Sequence, residues 1–133
     1  MPDHSTYDYA VIRVVPRVER GEFVNAGVIV SCPAQKFLEA RIELDEARLL
    51  AIDPHVDLES IRAHLASFPR ICAGGADAGP IGRLPPRERF HWLIAPRSTV
   101  IQVSPAHTGR CDDAPGLLEH LMDTMVRLPK ANP

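Results

Sequence analysis

Two apolar stretches, YDYAVIRVVP at residues 7–16 and FVNAGVIV at residues 23–30, flank the polar segment RVERGE, in which Gly21 is the one glycine. Apolar alternation either side of a turn with glycine predicts an antiparallel hairpin, because glycine takes left-handed backbone without steric cost. If Glu19, Arg20 and Gly21 form a three-residue loop, Val14 pairs with Ala26, Ile12 with Val28 and Ala10 with Val30 on one apolar face. Tyr9, Val11, Arg13 and Val15 then share the outer face with Ser31, Ile29, Gly27 and Asn25. Asn25 and Gly27, both of residue types disfavoured in strands, become outward positions of a continuous strand.

A third alternating stretch, FLEARIEL, follows the turn residues Pro33 to Gln35, with Leu38, Ala40, Ile42 and Leu44 inward. Asp45 and Asp57 are placed to cap helices, the second carrying Leu58, Ile61, Leu65 and Phe68 at helical spacing and ending or bending at Pro69. Residues 72–82, CAGGADAGPIG, have loop composition and lack the lysine of a phosphate-binding loop. RERFHWLIA and TVIQVSP read as a second hairpin turned at Pro96, with Phe90, Trp92 and Ile94 inward and Arg89, His91, Gln102 and Ser104 outward. Asp113 or Ala114 opens a last helix whose stripe of Leu117, Leu118, Leu121, Met122, Met125 and Val126 needs a sheet beneath it. The expected fold is α+β: a mostly antiparallel sheet, three-strand meander plus hairpin, with helices on one face.

The 133 residues suit one domain over 1–133, with an ordered core from about 7 to 128. Fifteen Lys and Arg against 17 Asp and Glu argue against a nucleic-acid binder. The amino-terminal stretch has no signal-peptide pattern, no membrane span is apparent, and Cys32, Cys72 and Cys111 fit reduced thiols. A cytoplasmic protein is expected. His107 and Cys111 stand four apart, half of a metal pair, but no partner pair completes four ligands, so no metal or cofactor is expected.

On the outer face, Gly27 would lie between Arg13 and Arg41, whose guanidinium groups could hold a carboxylate or phosphate across a residue without a side chain. Glu39 and Glu43 offer the opposing reading of a solvated charge mosaic. The loop of Arg97, Ser98 and Thr99, with Gln102 and Ser104 close by, is a second basic and hydroxyl-bearing cluster. Turn hydroxyls commonly satisfy their own backbone instead. Glu22 and His91 are the acid–base candidates, although no spacing ties either to a nucleophile, and no motif decides for or against catalysis.

YDYAVIRVVPRVERGEFVNAGVIV and FHWLIAPRSTVIQVSPAHTG resemble the bacterial family known as domain of unknown function 3037, from about Tyr7 to Leu128. Its pattern falls on Arg20, Gly21, Glu22, Asn25, Gly27, Pro96 to Thr99, Ile101, Gln102, Ser104 and Pro105. The resemblance implies a shared fold unit, no named activity, and at most a protein partner such as a HipA-like kinase. If its two motif segments form one site, the hairpins bearing them must be close in space. The reading is a non-catalytic binding or accessory module that contacts a partner protein or small anion through Arg13, Glu22, Asn25, Gly27, Arg41, Arg97, Ser98, Thr99, Gln102 and Ser104. The rivals are a hydrolase or nuclease using Glu22 and His91, and a nucleic-acid module. Exposed strand edges would also permit self-association.

Overall fold

The computed structural model describes residues 4–97 and 99–129. The meander forms as expected, with β1 (Ser5–Val14), β2 (Val24–Cys32) and β3 (Phe37–Ile42) lying in the order β3-β2-β1. Beyond β1 the sheet is completed by two short strands, β4 (Ile101–Val103) and β5 (His107–Cys111). Both run antiparallel to β1, β4 against its end and β5 against its start. The α+β class and antiparallel sheet hold; the second hairpin does not.

The helices are α1 (Glu46–Ile52), α2 (Leu58–Ala73), α3 (Pro86–Ile94) and α4 (Ala114–Leu121), the last running into a π-helical segment, Met122–Val126. Asp45, Asp57 and Asp113 cap α1, α2 and α4, each accepting a backbone N–H three residues ahead. Pro69 neither stops α2 nor ends it, since the helix continues to Ala73. The segment expected as a fourth strand is α3, started by Pro86 in the first turn. Its buried residues, Arg89, Phe90 and Leu93, follow helical spacing, and Trp92 is exposed rather than in the core.

The register of the first hairpin also differs from the expected one. Gly21 is left-handed at φ 71, as its place in the turn requires, but a 3-10 turn at Val18–Arg20 lengthens the connection, so Val14 faces Val24. A bulge then leaves Ala26 unpaired between Arg13↔Asn25 and Ile12↔Gly27. The extra residue reverses the side-chain parity of β2 from Gly27 onward. Val24 and Ala26, the latter inward as expected, and Ile29 beyond the reversal join Ile12 and Val14 in a core closed by α1, α2 and α3. Val28 and Val30 face the other way, into a second core with Leu118, Leu121, Met122 and Val126. Helices thus cover both faces, not one, and the unbroken apolar run of β2 is a strand buried on both sides.

Candidate binding surface

Since α4 and its π-helical extension pack on β2, the second face of the sheet stays partly open over β1 and its neighbours. At the end of β1, Arg13 is paired with Asn25 on β2 and with Gln102 on β4, so three predicted site residues form one row across three strands. All three are half-buried. The Arg13 guanidinium carbon lies 4.4 Å from the centroid of the Phe23 ring, within range of a cation–π contact. Phe23 is itself 43% exposed. Asn25 Nδ2 donates to the Met125 carbonyl at 2.9 Å, and Gln102 Nε2 to the Thr99 carbonyl at 2.9 Å.

Two polar atoms of this row are buried without a hydrogen-bond partner, the donor Arg13 Nε and the acceptor Asn25 Oδ1. Such groups are rare in folded proteins and cost about 1–3 kcal/mol each. Among the described residues Arg13 also makes no ion pair. Farther down β1 the same face carries Tyr9, 5.3 Å from the His107 ring, and Tyr7, whose ring covers Gly109 so closely that a Cβ there would sit 2.5 Å from the phenol oxygen.

The other predicted site residues are occupied with structure. Arg41 pairs with Glu119 on α4, and Glu119 with Arg127, which also holds Glu43 and Asp123. Gly27 is not a gap between Arg13 and Arg41: it pairs with Ile12 and Ile42, and a Cβ there would lie 2.5 Å from the Arg41 carbonyl oxygen. Arg97 donates to the Trp92 carbonyl at 2.8 Å and the Leu93 carbonyl at 3.3 Å, capping the end of α3, with its guanidinium carbon 4.6 Å from the Trp92 ring centroid. Thr99 Oγ1 donates to the Ile101 carbonyl at 2.6 Å, while Ser98 lies outside the described residues.

Ser104 mends the sheet where β4 gives way to β5. Its buried hydroxyl accepts the Val11 N–H at 2.8 Å and donates to the Pro105 carbonyl at 3.0 Å, while its own N–H donates to Val11 O at 2.8 Å. The serine and proline of the IQVSP segment therefore make a structural joint.

Glu22 and His91 do not converge. Glu22 is exposed beyond the end of β1, paired with Arg20 at 2.5 Å. His91 stands on α3 within electrostatic reach of Asp8, near the start of β1, and the six residues from Asp8 to Val14 span about 20 Å of strand. His107 and Cys111, on an extended strand, lie about 13 Å apart by the same rise. Among the described residues no three His, Cys, Asp or Glu side chains are grouped to hold a metal ion. Burial pushes the Cys72 thiol up to about 12, and burial followed by the neighbouring Cys32 raises Cys111, so neither is an activated thiolate.

A cavity of about 280 Å³ beside the start of α2 holds Asp53, His55, Ser60 and His64. Asp53 is committed to Arg17 at 3.3 Å and to the His55 N–H at 2.9 Å. Burial, then the charge of Arg97, lowers the His64 pKa. No hydrogen bond joins Ser60 to His64 among the described residues, so the group lacks the coupling of a nucleophile and base.

A family model described as a protein of unknown function (DUF3037) matches residues 9–126, from β1 to the last residue of the π-helical segment. The chain belongs to this family. No curated protein and no solved structure matches it. The DUF3037 match takes in both motif-bearing segments apart from Tyr7 and Asp8, and the pairing of Arg13 with Asn25 and Gln102 brings them side by side. Phe23, which lies beside the row with its ring against the Arg13 guanidinium, is the residue that the sequence did not single out. Its place two residues before Asn25 was the available signal. Among the described residues of this DUF3037 chain, no helix is long and apolar enough to cross a membrane.

Proposed function

We propose that this DUF3037 chain is a non-catalytic binding module whose partner protein sets an acidic side chain on Arg13, between Asn25 and Gln102. The observation that carries the reading is the half-buried Arg13 guanidinium, which has no carboxylate partner among the described residues and retains a buried Nε without an acceptor. A carboxylate would supply the missing charge and form charge-assisted hydrogen bonds. Phe23 and Met125, 43% and 37% exposed, add the apolar and aromatic contacts that protein interfaces favour around an arginine. Because the row borders the exposed apolar side chains of Phe23 and Met125, a protein surface fits it better than a small anion.

The test is selection of random peptides displayed on phage against the full chain. Selected peptides are expected to share an Asp or Glu beside an apolar residue. They should bind Arg13→Gln at least about tenfold more weakly, the scale of one lost charged hydrogen bond, and bind the Arg110→Gln control unchanged. Failure to select any peptide, or equal binding to Arg13→Gln, overturns the proposal.

A further inference from the structure

A separate cavity of about 560 Å³ lies at the opposite end of the sheet from Arg13, where the turn after β2 meets the end of α2 and the start of α3. Its size falls among those of small-molecule sites, which pair apolar walls with a few directed polar groups. Phe37, Leu38 and Ala73 give it apolar wall, and the Cys72 thiol, held neutral, adds to it. Lys36, Arg87 and Arg89 also line it, and no carboxylate is among its lining residues.

Arg89 is only 9% exposed. Its Nε donates to the Leu84 carbonyl at 2.9 Å, and its Nη1 to the Ile71 and Cys72 carbonyls at 2.9 and 2.6 Å. Gly74, left-handed at φ 76, permits this approach, since a Cβ there would meet Nη1 at 2.7 Å. The Ile71 and Cys72 carbonyls belong to the end of α2 and, with that of Leu84 just ahead of α3, offset part of the charge, but Nη2 carries no hydrogen bond among the described residues. A cation at that depth ordinarily has an anion beside it. Lys36 stands in left-handed backbone at φ 52, an uncommon place for a residue with a side chain, and makes no ion pair among the described residues. Arg87 is partly committed, donating to Asp8 at 2.5 Å and to Ser31 Oγ at 2.9 Å.

We infer that this cavity binds an organic anion, its carboxylate or phosphate head held by Arg89 and Lys36 with support from Arg87, and its apolar body laid against Leu38, Phe37 and Ala73. The site is independent of the Arg13 row. The experiment follows amide shifts of the full chain during titration with octanoate, octyl phosphate, octanol and acetate, all below micellar concentrations. Octanoate or octyl phosphate is expected to bind at least tenfold more tightly than octanol or acetate and to move the amides of Leu38 and Ala73. The head that binds identifies the anion class.

Lys36→Gln and Arg87→Gln, which leave the α2 cap intact, should each weaken binding roughly three- to tenfold. Arg13→Gln should leave it unchanged, which separates this site from the peptide-binding row. Octanol binding as tightly as the anions, no binding by either anion, or both cavity variants within twofold of the parent would overturn the inference.

Discussion

At the scale of single residues, chemistry that looks functional in a sequence divides into groups that hold the chain together and groups that do not. Ser104 is of the first kind, because removing its hydroxyl leaves the buried Val11 N–H without an acceptor. Ser104→Ala should cost about 1–3 kcal/mol in urea unfolding while leaving peptide binding at the Arg13 row intact; an unchanged midpoint would mean the hydroxyl is not a joint. Arg13 is of the second kind. Arg13→Met removes a buried donor that has no acceptor, so its unfolding free energy should equal or exceed the parent's even though peptide binding is lost. A loss of stability in that variant would contradict the partition. Arg13, Asn25 and Gln102 were legible as polar positions on alternating segments. The neutralisation of Arg41 by Glu119 was not, because the two are 78 residues apart and meet only through α4.

Elements were legible where the signal is local. The caps at Asp45 and Asp57, the left-handed Gly21 and the stripe on the last helix each depend on a few adjacent residues. Two features escaped because their causes lie elsewhere in the chain. In α3, nine residues hold both the alternation of Phe90, Trp92 and Ile94 and the helical spacing of Phe90 and Leu93, and only packing decides between them. In β2, the bulge at Ala26 reverses the faces without leaving a pattern in the apolar run. Gly27 sits beside that bulge where β2 and β3 crowd together. Gly27→Ala should lose about 1–3 kcal/mol by overpacking against the Arg41 carbonyl and Ile42, measured by thermal unfolding. A stable alanine variant would show that the strands can part.

For the whole molecule, the sheet is shared by two cores, and charged groups fasten its elements at their margins. Asp8 joins β1 to α3 through Arg87, and to β5 through Thr108. Burial raises its pKa, but the hydrogen bonds from Thr108 and Arg87 and the Arg87 charge outweigh that and hold it below the ordinary aspartate range. With the folded value below the unfolded one, the unfolded chain binds the proton more readily. The contribution is therefore present above the unfolded pKa and disappears as pH falls through the folded pKa, below about pH 4. Asp8→Asn should be less stable than the parent at pH 6 and show a shallower decline towards pH 3 in urea titrations; parallel curves would remove Asp8 from the acid limb.

Both cores close without the Arg13 guanidinium, and we propose that the Arg13 row serves contact rather than stability. The most direct measurement follows the Arg13 Nε–H signal of the full chain by nitrogen–proton NMR while a selected acidic peptide is added. The Nε–H signal should shift in step with the side-chain amides of Asn25 and Gln102. Saturable peptide binding that leaves all three signals unmoved would show that the row is not the contact surface.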